Sequence, residues 1–232
     1  MEIKLSNRMQ CVSDLVTKGR IADIGCDHAF VSIYLLQSKK ADKVLAMDIK
    51  DGPLNIAREN VAMYGFEEYI EVRKSNGFEA ARVSEVDCAI IAGMGGHLII
   101  DILKRGSEFT DNGIELILQP QSDIPLVREY LFSIGYMICE EKMLIEEGKY
   151  YTIIKATKSD SVKELSVEEI KFGPCLLKEK NTVLHQYLNH KLEKNKDIIF
   201  RLNNKKDGQN ERITELNQEN QMICSVLDKY FI

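Results

Sequence analysis

Four short stretches carry the side chains best suited to chemistry, and each follows an apolar run. The first, Asp23-Ile24-Gly25-Cys26-Asp27-His28-Ala29, sets two carboxylates and an imidazole around one glycine. Glycine lets the backbone pass close to a ligand, and a helix beginning there would turn unpaired N–H groups toward it. The second is Asp48-Ile49, roughly twenty residues further on, where a carboxylate at a strand end can accept both hydroxyls of an adenosine ribose. Asn76-Gly77 is the third, placed for adenine contacts through a side-chain amide or a backbone group. The fourth, Ala92-Gly93-Met94-Gly95-Gly96, is glycine-rich, and Gln119 and Gln121 flank Pro120 after the next apolar run. Taken singly, each has an ordinary structural reading, such as Asp27 capping a helix or Asp48 being solvated. Brought to one sheet edge, they are what an adenosine-containing ligand needs. His97, His185 and His190 stand apart and the cysteines contain no C-x-x-C pair, so neither a metal site nor a disulfide framework is expected.

The elements that must position these groups can be read from hydrophobic periodicity. From Arg20 to Thr157 apolar runs alternate with helical patterns, as in an α/β sheet. The expected strands are 20–24, 43–48, 70–73, 86–91 and 114–118. Ser6 is placed to cap a first helix carrying Met9, Val12, Leu15 and Val16; later helices carry Val31 and Leu35, span 53–64 up to Gly65, carry Leu98, Ile99, Ile102 and Leu103, and lead to Gly135. Two β-like runs, 136–145 and 150–157, meet at Glu146-Glu147-Gly148-Lys149, which reads as a hairpin turn. Five βα units closed by an antiparallel hairpin form the α/β arrangement of a Rossmann-like class I methyltransferase sheet.

Strands cease from Ser159 onward. Ser166 is placed to cap a short helix ending before Gly173-Pro174, and a long apolar series then runs through Leu177, Leu184, Leu188, Leu192, Ile199 and Leu202. A turn at Asp207-Gly208 separates it from Ile213, Leu216, Ile223, Leu227 and Tyr230, which predicts an antiparallel helical hairpin of coiled-coil type. The expected organisation is a Rossmann-like catalytic domain over 1–158 and a helical, coiled-coil-like domain over 159–232.

Within 232 residues, 44% hydrophobic and 29% charged side chains fit a folded globular chain. No apolar run approaches the roughly 18 residues of a membrane helix, and the first residues lack the pattern of a secretory signal, so a cytoplasmic location is expected. The net charge of −5 argues mildly against a polyanion partner, but it is unevenly spread. Residues 159–232 carry twelve charges of each sign, and between Lys171 and Lys206 nine basic side chains face three acidic ones.

The runs Asp23-Ile24-Gly25-Cys26-Asp27-His28-Ala29-Phe30 and Ile91-Ala92-Gly93-Met94-Gly95-Gly96, with the helical tail, resemble the bacterial tRNA (adenine(22)-N1)-methyltransferase family. Asp23 and Gly25 also match the wider methyltransferase pattern D-x-G-x-G-x-G, from which Asp27 and Ala29 depart. The resemblance implies methyl transfer from S-adenosyl-L-methionine to N1 of adenosine 22 in tRNA. Candidate cofactor-binding residues are Asp23, Gly25, Cys26, Asp48, Ile49, Asn76, Gly77, Gly93 and Met94; candidate catalytic residues are Asp27, His28 and Gln119. Adenine N1 already holds a lone pair, so alignment rather than a strong base should supply most of the rate. The product ring is positive, and an acceptor near its exocyclic amine would help; Asp27, His28, the Gly93-Met94-Gly95 backbone, Gln119 and Gln121 are candidates. The basic tail would then hold the tRNA, and a monomer is the simpler expectation. Two alternatives remain open: a noncatalytic RNA-binding or scaffolding protein with a vestigial pocket, and an NAD-dependent oxidoreductase. The second is disfavoured because the loop lacks G-x-G-x-x-G, only Gly25 remaining.

Overall fold

A computed structural model describes residues 2–17, 19–161, 163–203 and 210–231, Asn210 by its backbone alone. The order is α1 (Asn7–Asp14), β1 (Arg20–Ile24), α2 (Phe30–Gln37), β2 (Lys43–Asp48), α3 (Asp51–Tyr64), β3 (Ile70–Lys74), β4 (Cys88–Met94), α4 (Gly96–Arg105), α5 (Ser107–Asp111), β5 (Glu115–Pro120), α6 (Ile124–Ser133), β6 (Tyr136–Glu146) and β7 (Lys149–Lys158). Four helices follow: α7 (Val167–Phe172), α8 (Pro174–Lys178), α9 (Thr182–Asn203) and α10 (Asn210–Tyr230). The chain divides into two compact units, Met1–Glu164 and Leu165–Ile232. Among the described residues, no helix is long and apolar enough to cross a membrane.

The first unit is a seven-stranded sheet of order β3-β2-β1-β4-β5-β7-β6. Strands β1 to β5 pair in parallel, whereas β7 runs antiparallel to both β5 and β6. The strands are continuous apolar runs because helices cover both faces. Alternation sorts their side chains: Ile21, Val44, Ile90 and Ile117 join the core shared with α1, α2 and α3, while Ala22, Leu45, Ile91 and Leu118 join that of α4, α5 and α6. The β6–β7 turn needs positive φ at both central residues, and Glu147 (50°) and Gly148 (73°) supply it.

Strand β4 differs from expectation at both ends. It begins at Cys88 rather than Val86 and continues past Ile91 to Met94, because a bulge between Ala92 and Met94 absorbs Gly93 at φ 76° and lets pairing with β5 resume at Pro120. Gly93 bends the strand without ending it, and Gly95 and Gly96 lead into α4.

In the second unit, Ser166 caps α7 through a reciprocal capping box with Glu169. The first apolar series is not one helix: Leu177 belongs to α8, and Lys180 at φ 50° breaks the chain before Asn181 caps α9 through the Val183 and Leu184 N–H groups. His185 at the start of α9 stacks on Phe231 just past the end of α10, whereas Asn195 further along α9 donates back to Glu219 and Asn220, so α9 and α10 are antiparallel. Val226 takes the buried position expected of Leu227. The expected turn at Asp207-Gly208 lies outside the described residues.

Candidate active site

Strand order reverses between β1 and β4, and in open α/β sheets the carboxyl ends of such strands are where ligands bind. A cavity of about 440 Å³ opens there, lined by Asp23 and the Gly25–His28 loop on one side and by Ala92, Gly93 and Gln121 on the other. The segment before α1 adds Lys4 and Ser6, and the first turn of α1 adds Arg8.

The β1 loop hangs from the end of β2, since the N–H groups of Gly25 and Cys26 both donate to the Met47 carbonyl, at 2.8 and 3.0 Å. Gly25, Asp27 and Ala29 have φ of 76°, 50° and 59°. These are the three glycine positions of the D-x-G-x-G-x-G pattern. The backbone keeps the left-handed conformation at each although two carry side chains, at a cost of the order of 1 kcal/mol apiece.

Alternation along β1 turns Asp23 toward α2, where it accepts a 2.6 Å hydrogen bond from Ser32 Oγ. Burial pushes its carboxyl up to about 6, against the opposing pull of that bond and with the Asp48 charge adding to the rise. Burial likewise pushes the Cys26 thiol up, reinforced by Asp23. Asp48, half-buried at the end of β2, accepts from the Lys50 N–H through Oδ1 at 2.9 Å, and Ile49 beside it is 55% exposed. Asn76 donates to Glu79, and Gly77 packs so closely that a Cβ would lie 3.1 Å from Ile102. Both are tied to Asp48 through Ser75, whose N–H donates to the Asp48 carbonyl. The Met94 methyl lies over Gly25, in the space a Cβ there would need. Asp48, Ile49, Asn76, Gly77 and Met94 do not line the cavity.

Of the three catalytic candidates, the structure brings Asp27 and His28 to the cavity. Asp27 is exposed, with Oδ1 3.6 Å from His28 Nε2, and the His28 ring meets Phe30 edge-on. Gln119 does not reach the cavity. It is fully buried on the α1 face of β5, where Oε1 accepts from Arg8 Nη1 at 2.7 Å and from the Gly93 N–H at 3.1 Å, while Nε2 donates to the Pro120 carbonyl. The cavity position belongs to Gln121.

Arg8 is the residue that sequence reasoning passed over. Its guanidinium lies over the Tyr151 ring and 3.8 Å from Glu146. Nothing local marks it, because its partners come from β5, β6 and β7. The parity of β5, with Gln119 on the same face as Ile117, was the available signal.

The model of the tRNA (adenine(22)-N(1))-methyltransferase family matches residues 21–224. The chain belongs to this family. It is 33% identical over 236 residues to the tRNA (adenine(22)-N(1))-methyltransferase of Bacillus subtilis (strain 168), covering 98% of each chain. Among solved structures, it is similar to Streptococcus pneumoniae Sp1610 in complex with S-adenosyl-L-methionine (33% identity, TM-score 0.86, 97% of this chain and 100% of that one). It also resembles M. capricolum TrmK in complex with S-adenosyl-homocysteine (29% identity, TM-score 0.84, 97% and 99%).

A larger groove of about 610 Å³ lies at the amino ends of β1 and β2, on the sheet edge opposite the Gly25–His28 loop. Of its lining cations, Arg20 is engaged with Asp87 and the Ser84 carbonyl, and Arg73 beside the groove is held by Glu71 and Glu85. At the motif edge, Gly96 is packed so tightly that a Cβ would meet the Ser122 carbonyl at 2.6 Å. Gly96→Ala should therefore destabilise the protein by about 1–3 kcal/mol, the range for overpacking. Denaturant titration would check this, and an unchanged midpoint would show that the 122–123 loop yields freely.

Proposed function

We propose that the chain transfers the methyl group of S-adenosyl-L-methionine to N1 of adenosine 22 in tRNA. The family match across residues 21–224 carries this reading. The donor set fits the cofactor: Asp23, Asp27 and Asp48 make the β1–β2 end acidic, which suits a sulfonium cation, and Gly25 at φ 76° allows close backbone approach. When bound, S-adenosyl-L-methionine would supply an electrophilic methyl carbon to the N1 lone pair, the C–S pair staying with sulfur and the ring taking the positive charge. The protein's part is alignment and exclusion of water. Asp48 would hold the ribose, Ile49 would offer an apolar surface to the adenine, and Asp27 and His28 would face the second reactant. Incubation with tRNA followed by nuclease digestion and mass spectrometry should yield 1-methyladenosine, with reverse transcription stopping at position 22. Unmodified tRNA, or methylation elsewhere, would reject the reading.

Asp48→Ala should weaken S-adenosyl-L-methionine binding by about 1.5–3 kcal/mol, the range for hydrogen bonds to a charged group. Calorimetry showing unchanged affinity would remove Asp48 from the site.

The helical unit is proposed to grip tRNA in the cytoplasm through its exposed cations. Lys191 does not serve this purpose, because it is half-buried and paired with Glu219 at 2.7 Å, and reversing it would set two carboxylates together. Lys178, Lys194 and Arg201 are exposed. Changing these three to glutamate should lower the logarithmic salt slope of tRNA binding by roughly 0.7–0.9 per lost phosphate contact. Equal slopes would mean that the hairpin is a packing element.

A further inference from the structure

We propose that Gln121 reads the amino edge of the target adenine, pairing with N6 and N7 and leaving N1 turned toward the methyl donor. This rests on the adenine-N1 reading above. The two glutamines flanking Pro120 differ sharply. Gln119 is buried with its oxygen and its nitrogen both engaged. Gln121 is exposed, lines the same cavity as Asp27 and His28, and makes no side-chain hydrogen bond to any described residue. Its root is nonetheless fixed, since its N–H donates to the Met94 carbonyl at 2.8 Å. Gly93 keeps the adjoining space open: a Cβ there would sit 3.7 Å from Arg8 Nη1 and 3.8 Å from Gln121 Nε2.

A carboxamide presents one acceptor and one donor in a plane, the complement of the adenine N6 amine and N7, and this bidentate pairing is the one by which glutamine reads adenine in nucleic acids. It occupies the edge that excludes N1, so the nucleophilic lone pair stays free. Asp27 can accept from N6 but has no donor for N7, which is why the assignment falls on Gln121. As the C–N bond forms, positive charge spreads onto N6, so the bond to Oε1 strengthens toward the transition state. Guanine would set its O6 against that same oxygen. No proton needs to leave during the step.

The test uses full-length protein and tRNA carrying either adenosine or 7-deazaadenosine at position 22. For the wild type, removing N7 should lower kcat/KM by about ten- to a hundredfold. Gln121→Ala should lose about as much on the adenosine substrate and be indifferent to the deaza substitution, with S-adenosyl-L-methionine affinity unchanged by calorimetry. Gln121→Glu keeps the N6 acceptor but sets a carboxylate oxygen against the N7 lone pair, so its deaza penalty should vanish or reverse. Any difference in intrinsic N1 reactivity between the two bases cancels when each variant's ratio is compared with the wild type's. A deaza penalty that persists in Gln121→Ala, or wild-type kinetics of that variant on adenosine, would overturn the assignment. Wild-type protein that makes no 1-methyladenosine would overturn the reading beneath it instead.

Discussion

Glu141→Ala should cost the fold about 3–5 kcal/mol, the penalty for removing one partner of a buried ion pair. Glu141 on β6 is fully buried and its Oε1 accepts from Arg128 Nε of α6 at 2.9 Å, with the Arg128 side chain only 2% exposed. The alanine variant removes from this low-dielectric interior the carboxylate that accepts from the guanidinium Nε. The double variant Arg128→Met/Glu141→Leu should recover most of the loss, because replacing both ions with apolar groups of similar volume is often neutral. Urea titration of the three proteins would measure this. A single-variant loss under about 1 kcal/mol would show that water or a neighbouring group compensates the arginine.

Asp23→Asn should change how stability depends on pH by nearly as much. The Asp23 carboxyl stands at about 6 in the folded chain, against an unfolded value near 4. Its folded-state value is raised, so its favourable contribution is complete below about pH 4 and is lost as pH rises through 6; above that, the buried charge is borne in full. Two units correspond to about 3 kcal/mol. Asparagine does not titrate, so the variant's profile should lack the decline that Asp23 contributes to the wild type's between pH 4 and 7.5. Comparing each protein with itself at the two values removes any constant effect of the substitution on the Ser32 hydrogen bond. Parallel stability profiles would mean that Asp23 ionises in the fold as readily as in the unfolded chain.

The buried Arg128–Glu141 pair shows where sequence reading stops. The sheet was legible because continuous apolar runs such as Lys43–Asp48 and helical periodicity are local properties, set by a strand period of two and a helix period of 3.6. The Asp23–Gly25 loop and Asp48 were legible for the same reason: each sits where an apolar run ends. The hairpin turn was marked by Glu147-Gly148, and the tail by its leucine spacing, although that spacing could not show the break between α8 and α9.

Arg128, Glu141 and Lys191 gave no such signal, because a charged side chain reads as surface until strand order and helix pairing bring its partner. Arg8 and Gln119 meet across 111 residues, through a strand order that no local pattern encodes. Likewise the left-handed φ at Asp27 and Ala29 contradicts their residue types, and only the surrounding fold imposes it. The chain's periodicity thus determined which residues reach the sheet edge. Tertiary packing decided which of them face the cavity, since on β5 and just beyond it Gln119 turns into the α1 face and is consumed by Arg8 and Gly93, while Gln121 emerges past the strand with its carboxamide free.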